Sequence, residues 1–264
     1  MGDPARAPQP PAQAGRRRRA GWGLPLAFGL LAFLVLVVVA APAGVVARIV
    51  PAFEPRVALL APAGRLWSGS ADLVFDGQPL GRIQWTLVPA SLVRAQLAAD
   101  LVLTAPGHGA RARASIGATG RVRLDAVSAE LEQAALRDLL APYSIFPAGR
   151  ILVTEGTAVI DEQQLRTASA DASWSGGPVR YQLGGQSWFA TFPPLDAELE
   201  AVDGVPLLVI RDPDAAEVLD VRIDGAGWAH LRIRYRLVAM AGFPWPDPPA
   251  PDTVVVEVSE QILR

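Results

Sequence analysis

From residue 67 to residue 258 apolar side chains return at every second position, run after run. That period of two restricts these segments to strands with one apolar and one wetted face. The clearest run sets Leu231, Ile233, Tyr235 and Leu237 against His230, Arg232, Arg234 and Arg236. Near the start, Trp67, Gly69, Ala71, Leu73 and Phe75 lead into the turn signal Asp76-Gly77, and Ile83, Trp85 and Leu87 follow it, which predicts a β-hairpin. Similar alternation marks Leu97 to Leu103, Val122 to Ala126, Ala168 to Trp174, Val179 to Leu183, Leu195 to Leu199 and Leu219 to Ile223. Ten or more short strands are implied, and faces so unlike in polarity belong to an antiparallel sheet. Helical spacing is confined to 129–141, ending before Pro142, and to one turn over Pro89 to Arg94. The fold class expected is mainly β, a long, curved antiparallel sheet with one short helix.

Ahead of the sheet stands a different signal. Arg16, Arg17, Arg18 and Arg19 precede a stretch with no charged residue before Arg48, and Leu24 to Val46 is almost wholly Leu, Val, Ala, Phe and Gly. At about 1.5 Å per residue this stretch crosses roughly 30 Å of hydrocarbon. Cationic flanks stay on the cytoplasmic side, so the expected organisation is a disordered cytoplasmic tail over 1–20, a transmembrane anchor over 21–48 and an antiparallel β domain over 49–264 on the far face. A cleaved signal peptide is the competing reading, with Ala41-Pro42-Ala43 as its small-x-small site, although the apolar run exceeds the usual h-region and Pro42 suits cleavage poorly.

Composition removes several functions. With Cys 0 there are no disulfides, thiolate metal sites or Cys nucleophiles. The formal net charge is −2, and five of the arginines precede the apolar stretch, so the remainder is more acidic still, against the basic footprint that nucleic acid requires. The only histidines are His108, in the turn Pro106-Gly107-His108-Gly109, and His230, on the polar face of a strand, and both read as solvated surface residues. Asp196, Glu198 and Glu200 alternate on one strand face without the sharp turn of a calcium loop. Ser68, in Gly64-Arg65-Leu66-Trp67-Ser68-Gly69, lacks the spacing of a nucleophile elbow, and no nucleophile has a plausible base. No catalytic, cofactor-binding or metal-ligating residue is assigned.

Arg232, Arg234 and Arg236 form a basic row that fits either lipid phosphate or cross-strand pairing with Asp220 and Asp224. The stretch from Pro244 to Pro251 reads as a loop delivering a last strand, Thr253 to Val258, with a polyproline recognition segment as the alternative. Seven tryptophans, among them Trp67, Trp85, Trp174, Trp188 and Trp228, read as sheet-face packing, or as the wall of an apolar groove if that face stays uncovered.

One segment order resembles a known family. A single anchor, then Gly64-Arg65-Leu66-Trp67-Ser68-Gly69, then Gly81-Arg82-Ile83-Gln84-Trp85-Thr86-Leu87-Val88-Pro89 and Leu92, is similar to the Gly-x-Leu-Trp-x-Gly strand, Gly-x-x-x-Trp strand and Pro-x-x-Leu turn of the type II secretion system protein N family (general secretion pathway protein N). Pro147-Ala148-Gly149-Arg150-Ile151 and Ser173-Trp174 resemble its second Gly-start and second Trp-bearing strands. The resemblance implies a non-enzymatic, single-pass inner-membrane component with its β domain in the periplasm, whose partners are other type II secretion components and the lipid bilayer. A Leu-Trp-x-Gly strand also occurs in AsmA-like proteins, which implies the alternative of a lipid-handling module holding bound lipid in an apolar trough between the two membranes.

Overall fold

The computed structural model describes residues 40–53, 55–161 and 164–261. The tail 1–20 and the expected anchor up to residue 39 lie outside the described residues. No helix among the described residues is long and apolar enough to cross a membrane. Two compact units divide the chain, Met1–Ala40 and Ala41–Arg264, and the second holds every element described below residue by residue.

Among the described residues, thirteen antiparallel strands form one sheet in nearly the order of the chain: β1 (Val57–Gly64), β2 (Ser68–Phe75), β3 (Gln78–Val88), β4 (Gln96–Ala105), β5 (His108–Gly117), β6 (Val122–Leu131), β8 (Ile151–Asp161), β9 (Gln164–Trp174), β12 (Leu195–Val202), β13 (Val205–Arg211), β14 (Glu217–Ile223), β15 (Trp228–Arg234) and β16 (Val254–Gln261). The strands absent from that order, β7 (Ile145–Pro147), β10 (Gly177–Leu183) and β11 (Gln186–Phe192), make a second, three-stranded sheet. The mainly β, antiparallel expectation therefore holds. Short helices accompany it: α1 (Gly44–Phe53), α2 (Gln133–Leu140) and α3 (Tyr235–Met240).

Register carries one apolar face across the large sheet. Leu59 pairs with Leu73, Ile83 with Leu103, Trp85 with Leu101, Val122 with Ile160, Leu195 with Trp174, Leu199 with Leu208, and Ile233 with both Leu219 and Val256. The other face stacks charges of alternating sign, as in Asp72 opposite Arg82, Asp100 opposite Arg113, Asp196 opposite Arg211, and Asp220 opposite Arg232. Opposite charges facing one another across strands add to the pairing, and the period of two fixes which residues share a face. Bulges in neighbouring pairs at Arg111/Arg113, Leu124/Val127 and Thr154/Thr157 bend the central strands together. Gly156 makes this crease possible: a Cβ there would lie 2.7 Å from the Cβ of Val127.

Two expectations are corrected. The helix expected over 129–141 begins only at Gln133, because Ala129 and Leu131 are taken by pairing with Val153 and Ile151 of β8. The run ending at Leu237 is not strand to its end: β15 stops at Arg234 and α3 starts at Tyr235, whose N–H donates to the Thr253 carbonyl while that of Arg236 donates to Pro251. The Pro-rich stretch thereby satisfies the opening N–H groups of α3. It is a loop that delivers β16, and Trp245 packs edge-on against Tyr235 with ring centroids 6.0 Å apart.

The turn before β2 explains the sequence motif. Trp85 is 5% exposed, its indole N–H donates to the Leu66 carbonyl at 3.0 Å, and it packs with Ala43 and Ala71. Gly69 faces it across the pair, and a Cβ there would stand 2.6 Å from Trp85 Cζ2. Trp174 repeats the device, donating to the Ala148 carbonyl at 3.0 Å in the loop before β8. Ala41 and Ala43 join the first of these turns through Leu66 N–H to Ala41 O and Ala43 N–H to Gly64 O.

Candidate functional site

The large sheet has two margins of unlike character. At β1 the strand is broken by a bulge between Leu60 and Ala63, Ala61 takes a φ of 46°, Pro62 has no N–H to offer, and α1 packs against it. Pro and bulges are the devices that blunt an edge. β16 carries no Pro, and its one register shift lies near its start, between Val254 and Val256; Val254–Gln261 reads VVVEVSEQ, pairs on one flank with β15, and meets no strand on the other among the described residues. Val254 and Val258 are exposed, as are Glu257 and Glu260. Such a margin offers a row of backbone donors and acceptors to an added strand.

Two cavities adjoin at Thr154. One, about 560 Å³, runs across β4, β5, β6 and β8 and is lined by polar residues such as Thr104, Arg111, Glu130 and Thr154 together with apolar ones such as Leu103 and Val153, with His108 at its end. The other, about 310 Å³, shares Thr154 and adds Asp171, Ser173, Asp196, Glu198 and Arg211. The smaller of the two is lined mainly by charged and hydroxyl side chains. Glu198 is held by Arg211 at 2.7 Å, Glu200 is exposed outside both cavities, and no group of three His, Asp or Glu among the described residues could hold a metal ion.

The basic row is accounted for within the chain. Arg232 Nε donates to Asp220 at 2.8 Å, Arg234 bonds Glu217, and Arg236, carried on α3 and not on a strand, reaches Asp212 at 3.4 Å and Asp252 at 3.2 Å. Asp212 and Asp220 are both buried, so these pairs neutralise charge removed from water. Hydrogen bonding to Asp220 holds the Arg232 guanidinium above its usual range. Asp224 pairs with His230, not with an arginine as the sequence suggested.

Both histidines remain partly in water, and each has partners that the sequence did not show. His108 opens β5 half-buried, with Nε2 2.8 Å from the Leu80 carbonyl. His230 lies between Ser259 Oγ, 2.9 Å from Nδ1, and Asp224 Oδ2, 3.2 Å from Nε2. The N–H groups of Trp228 and Ala226 and the His230 ring hold the Asp224 carboxyl below the usual range. A serine, a histidine and a carboxylate thus stand in a chain that the sequence could not show, since 29 residues separate His230 from Ser259. Neither cavity includes any of the three, and what the chain does is tie β16 to β15 and to the turn that precedes it.

Exposed apolar side chains gather at the two ends of the strands. Leu139, Tyr143, Leu183 and Phe189 project from α2, the turn after it and the small sheet, which all adjoin the end carrying α3. Trp188 and Phe243, 5.3 Å apart, and the Tyr181 hydroxyl donating to the Ala241 carbonyl join the small sheet to the segment after α3. At the other end stand Leu92, Val93 and Leu97, between β3 and β4.

Residues 55–244 match the family model described as Type II secretion system (T2SS), protein N, and the chain belongs to that family. No curated protein and no solved structure shows significant similarity to it.

Proposed function

We propose that this type II secretion component is a non-enzymatic inner-membrane protein, N-terminus cytoplasmic and β domain periplasmic, that assists export of folded proteins across the outer membrane by engaging another secretion component at the β16 margin. Membership of the family supports the machinery, and the Arg16 to Arg19 cluster before the apolar stretch supports the orientation. The observation that carries the contact is the asymmetry of the margins: β1 is proline-bearing, bulged in mid-strand and packed by α1, while β16 carries no proline, is irregular only at Val254/Val256 near its start, and presents a valine-rich flank with no strand against it among the described residues. A photo-crosslinking residue at Ser259, in a bacterium that carries the secretion system, is expected to yield an adduct with a secretion component. Val258→Lys, which sets a charge on the apolar face of the margin, is expected to remove it. No adduct from Ser259, with the protein at normal abundance, defeats this reading.

The lipid-handling alternative draws on the apolar face, where large residues such as Leu101, Leu199 and Leu208 are half-buried under no second full layer. Against it, the smaller cavity is lined by the charged Asp171, Asp196, Glu198 and Arg211, and the larger one includes Arg111, Glu130 and Glu132. Native mass spectrometry of the full chain released from detergent tests it directly, since an acyl-bearing adduct is its required result.

A further inference from the structure

We infer that the turn between β3 and β4 is a foot resting in the headgroup layer of the bilayer entered by the N-terminal apolar stretch. The observation begins with three side chains on one short connection. Val93 is 91% exposed, Leu92 51% and Leu97 42%. This connection is not a loose loop. Pro89–Arg94 is a 3-10 turn, Ala95 closes it in the left-handed region at φ 53° and donates to the Leu92 carbonyl, and Ser91 Oγ donates to the Val88 carbonyl while accepting from the Ala98 N–H. A turn held from both sides therefore fixes a β-branched apolar side chain almost wholly in solvent, an arrangement that calls for a covering partner.

The course of the chain identifies that partner. Antiparallel order places the β1–β2 turn and the β3–β4 turn at the same end of the sheet, and the Leu87 N–H donates to the Trp67 carbonyl between them. Ala41 enters at this end, bonded to Leu66, with Pro42 bridging to Arg65. The residues immediately before it, Leu24 to Ala40, are uncharged and apolar throughout. If they cross a bilayer, its surface lies at this end of the strands. The exposed guanidinium groups of Arg65 and Arg94 flank the three apolar side chains, the pairing of apolar insertion with attraction to anionic lipid that interfacial elements use. The apolar cluster at the opposite end, with Leu139, is separated from this one by strands of ten residues, about 33 Å. It has no such neighbour.

This inference rests on the membrane attachment proposed above and is independent of the secretion partner. The chain contains no cysteine, so Val93→Cys gives a unique labelling site without disturbing any packed residue, and Leu97→Cys gives a second reporter on the same turn. Leu139→Cys, 62% exposed at the far end, is the control. The full chain is placed in vesicles of phosphatidylethanolamine and phosphatidylglycerol, roughly three to one, and each site carries an environment-sensitive fluorophore. With the foot seated about 5–10 Å into the headgroup boundary, iodide should quench the probes at 93 and 97 about threefold less than the probe at 139, and headgroup-level nitroxide lipid should quench only the first two. Equal iodide quenching at all three sites overturns the inference and gives the turn to a protein partner. Failure of the chain to float with the vesicles at alkaline pH removes the bilayer, and overturns the attachment and the foot together. Normal flotation with exposed probes overturns the foot alone.

Discussion

Replacing Trp85 tests whether the motif before β2 is a mechanical clamp. The indole buries roughly 200 Å², worth at most about 5 kcal/mol at 25 cal/mol per Å². Leu66 is only half-buried, so water can partly replace the lost donor at its carbonyl, and the hydrogen bond itself is worth about 1 kcal/mol. Trp85→Phe, which loses the N–H and the outer ring atoms, is therefore expected to cost about 2 kcal/mol, and Trp85→Ala about 4 kcal/mol. Gly69→Ala should cost about 2 kcal/mol by the opposite route. Its Cβ would meet Trp85 Cζ2 at 2.6 Å and the carbonyls of Ala63 and Arg65 at 2.9 and 3.0 Å. Urea denaturation of the full chain in detergent, followed by circular dichroism, gives the midpoints. Hydrogen exchange over residues 41–66 gives the local signature. Because Leu66 also bonds Ala41, loss of the clamp should speed exchange there before it affects β13 or β14. A Trp85→Ala midpoint equal to that of the parent protein, or unchanged exchange over 41–66, refutes the clamp.

Three further outcomes rest on the geometry. Asp220→Ala is expected to cost about 3 kcal/mol, because a carboxylate only 4% exposed disappears from between Arg232 and Arg234, whereas Asp72→Ala, whose partner Arg82 is half in water, should cost under about 1 kcal/mol in the same denaturation assay. Burial raises the pKa of Tyr181, so its contribution is fully present below the pKa of about 10 of an unfolded tyrosine and is lost as pH rises through the higher folded value. Urea midpoints at about pH 9 and about pH 11 should therefore fall less in Tyr181→Phe than in the parent protein. Gly156→Val should cost at least about 2 kcal/mol in thermal denaturation, since even a Cβ would stand 2.7 Å from Val127 at the shared crease, while Gly120→Ala, with open space around it, should move the transition chiefly through its positive φ.

Much of the sheet was legible because alternation survives wherever large apolar residues supply it, as in β2, β3, β14 and β15, and in β9 a closing Trp174 marks a face otherwise made of alanines. It failed at β5, where Ala110, Ala112 and Ala114 alternate with Arg111 and Arg113, since alanine marks a buried face weakly. It also mistook the origin of β10: Val179, Tyr181 and Leu183 do alternate, but their strand joins β7 and β11, a long-range choice that no local period encodes. At Tyr235 a competing partner decided the outcome, for the carbonyls of Thr253 and Pro251 turned the continuation of a strand into a helix start. The Trp-Gly motif was visible as a pattern, while its reason, an indole seated over a missing Cβ, appears only when β2 and β3 are paired. The link from His230 to Ser259 was likewise invisible, because it depends on β16 lying against β15.

Spatial and temporal order nearly coincide in this molecule. Each strand of the large sheet docks on the one that precedes it within that sheet, with just two excursions to the smaller sheet. Loops to be closed stay short, and a chain emerging from the ribosome or a translocation pore finds each seat already built. The last seat filled is that of β16. A chain halted before it would present the flank of β15, with Arg232 and Arg234 deprived of a neighbour, so an unfinished molecule would display a different docking chemistry from a complete one.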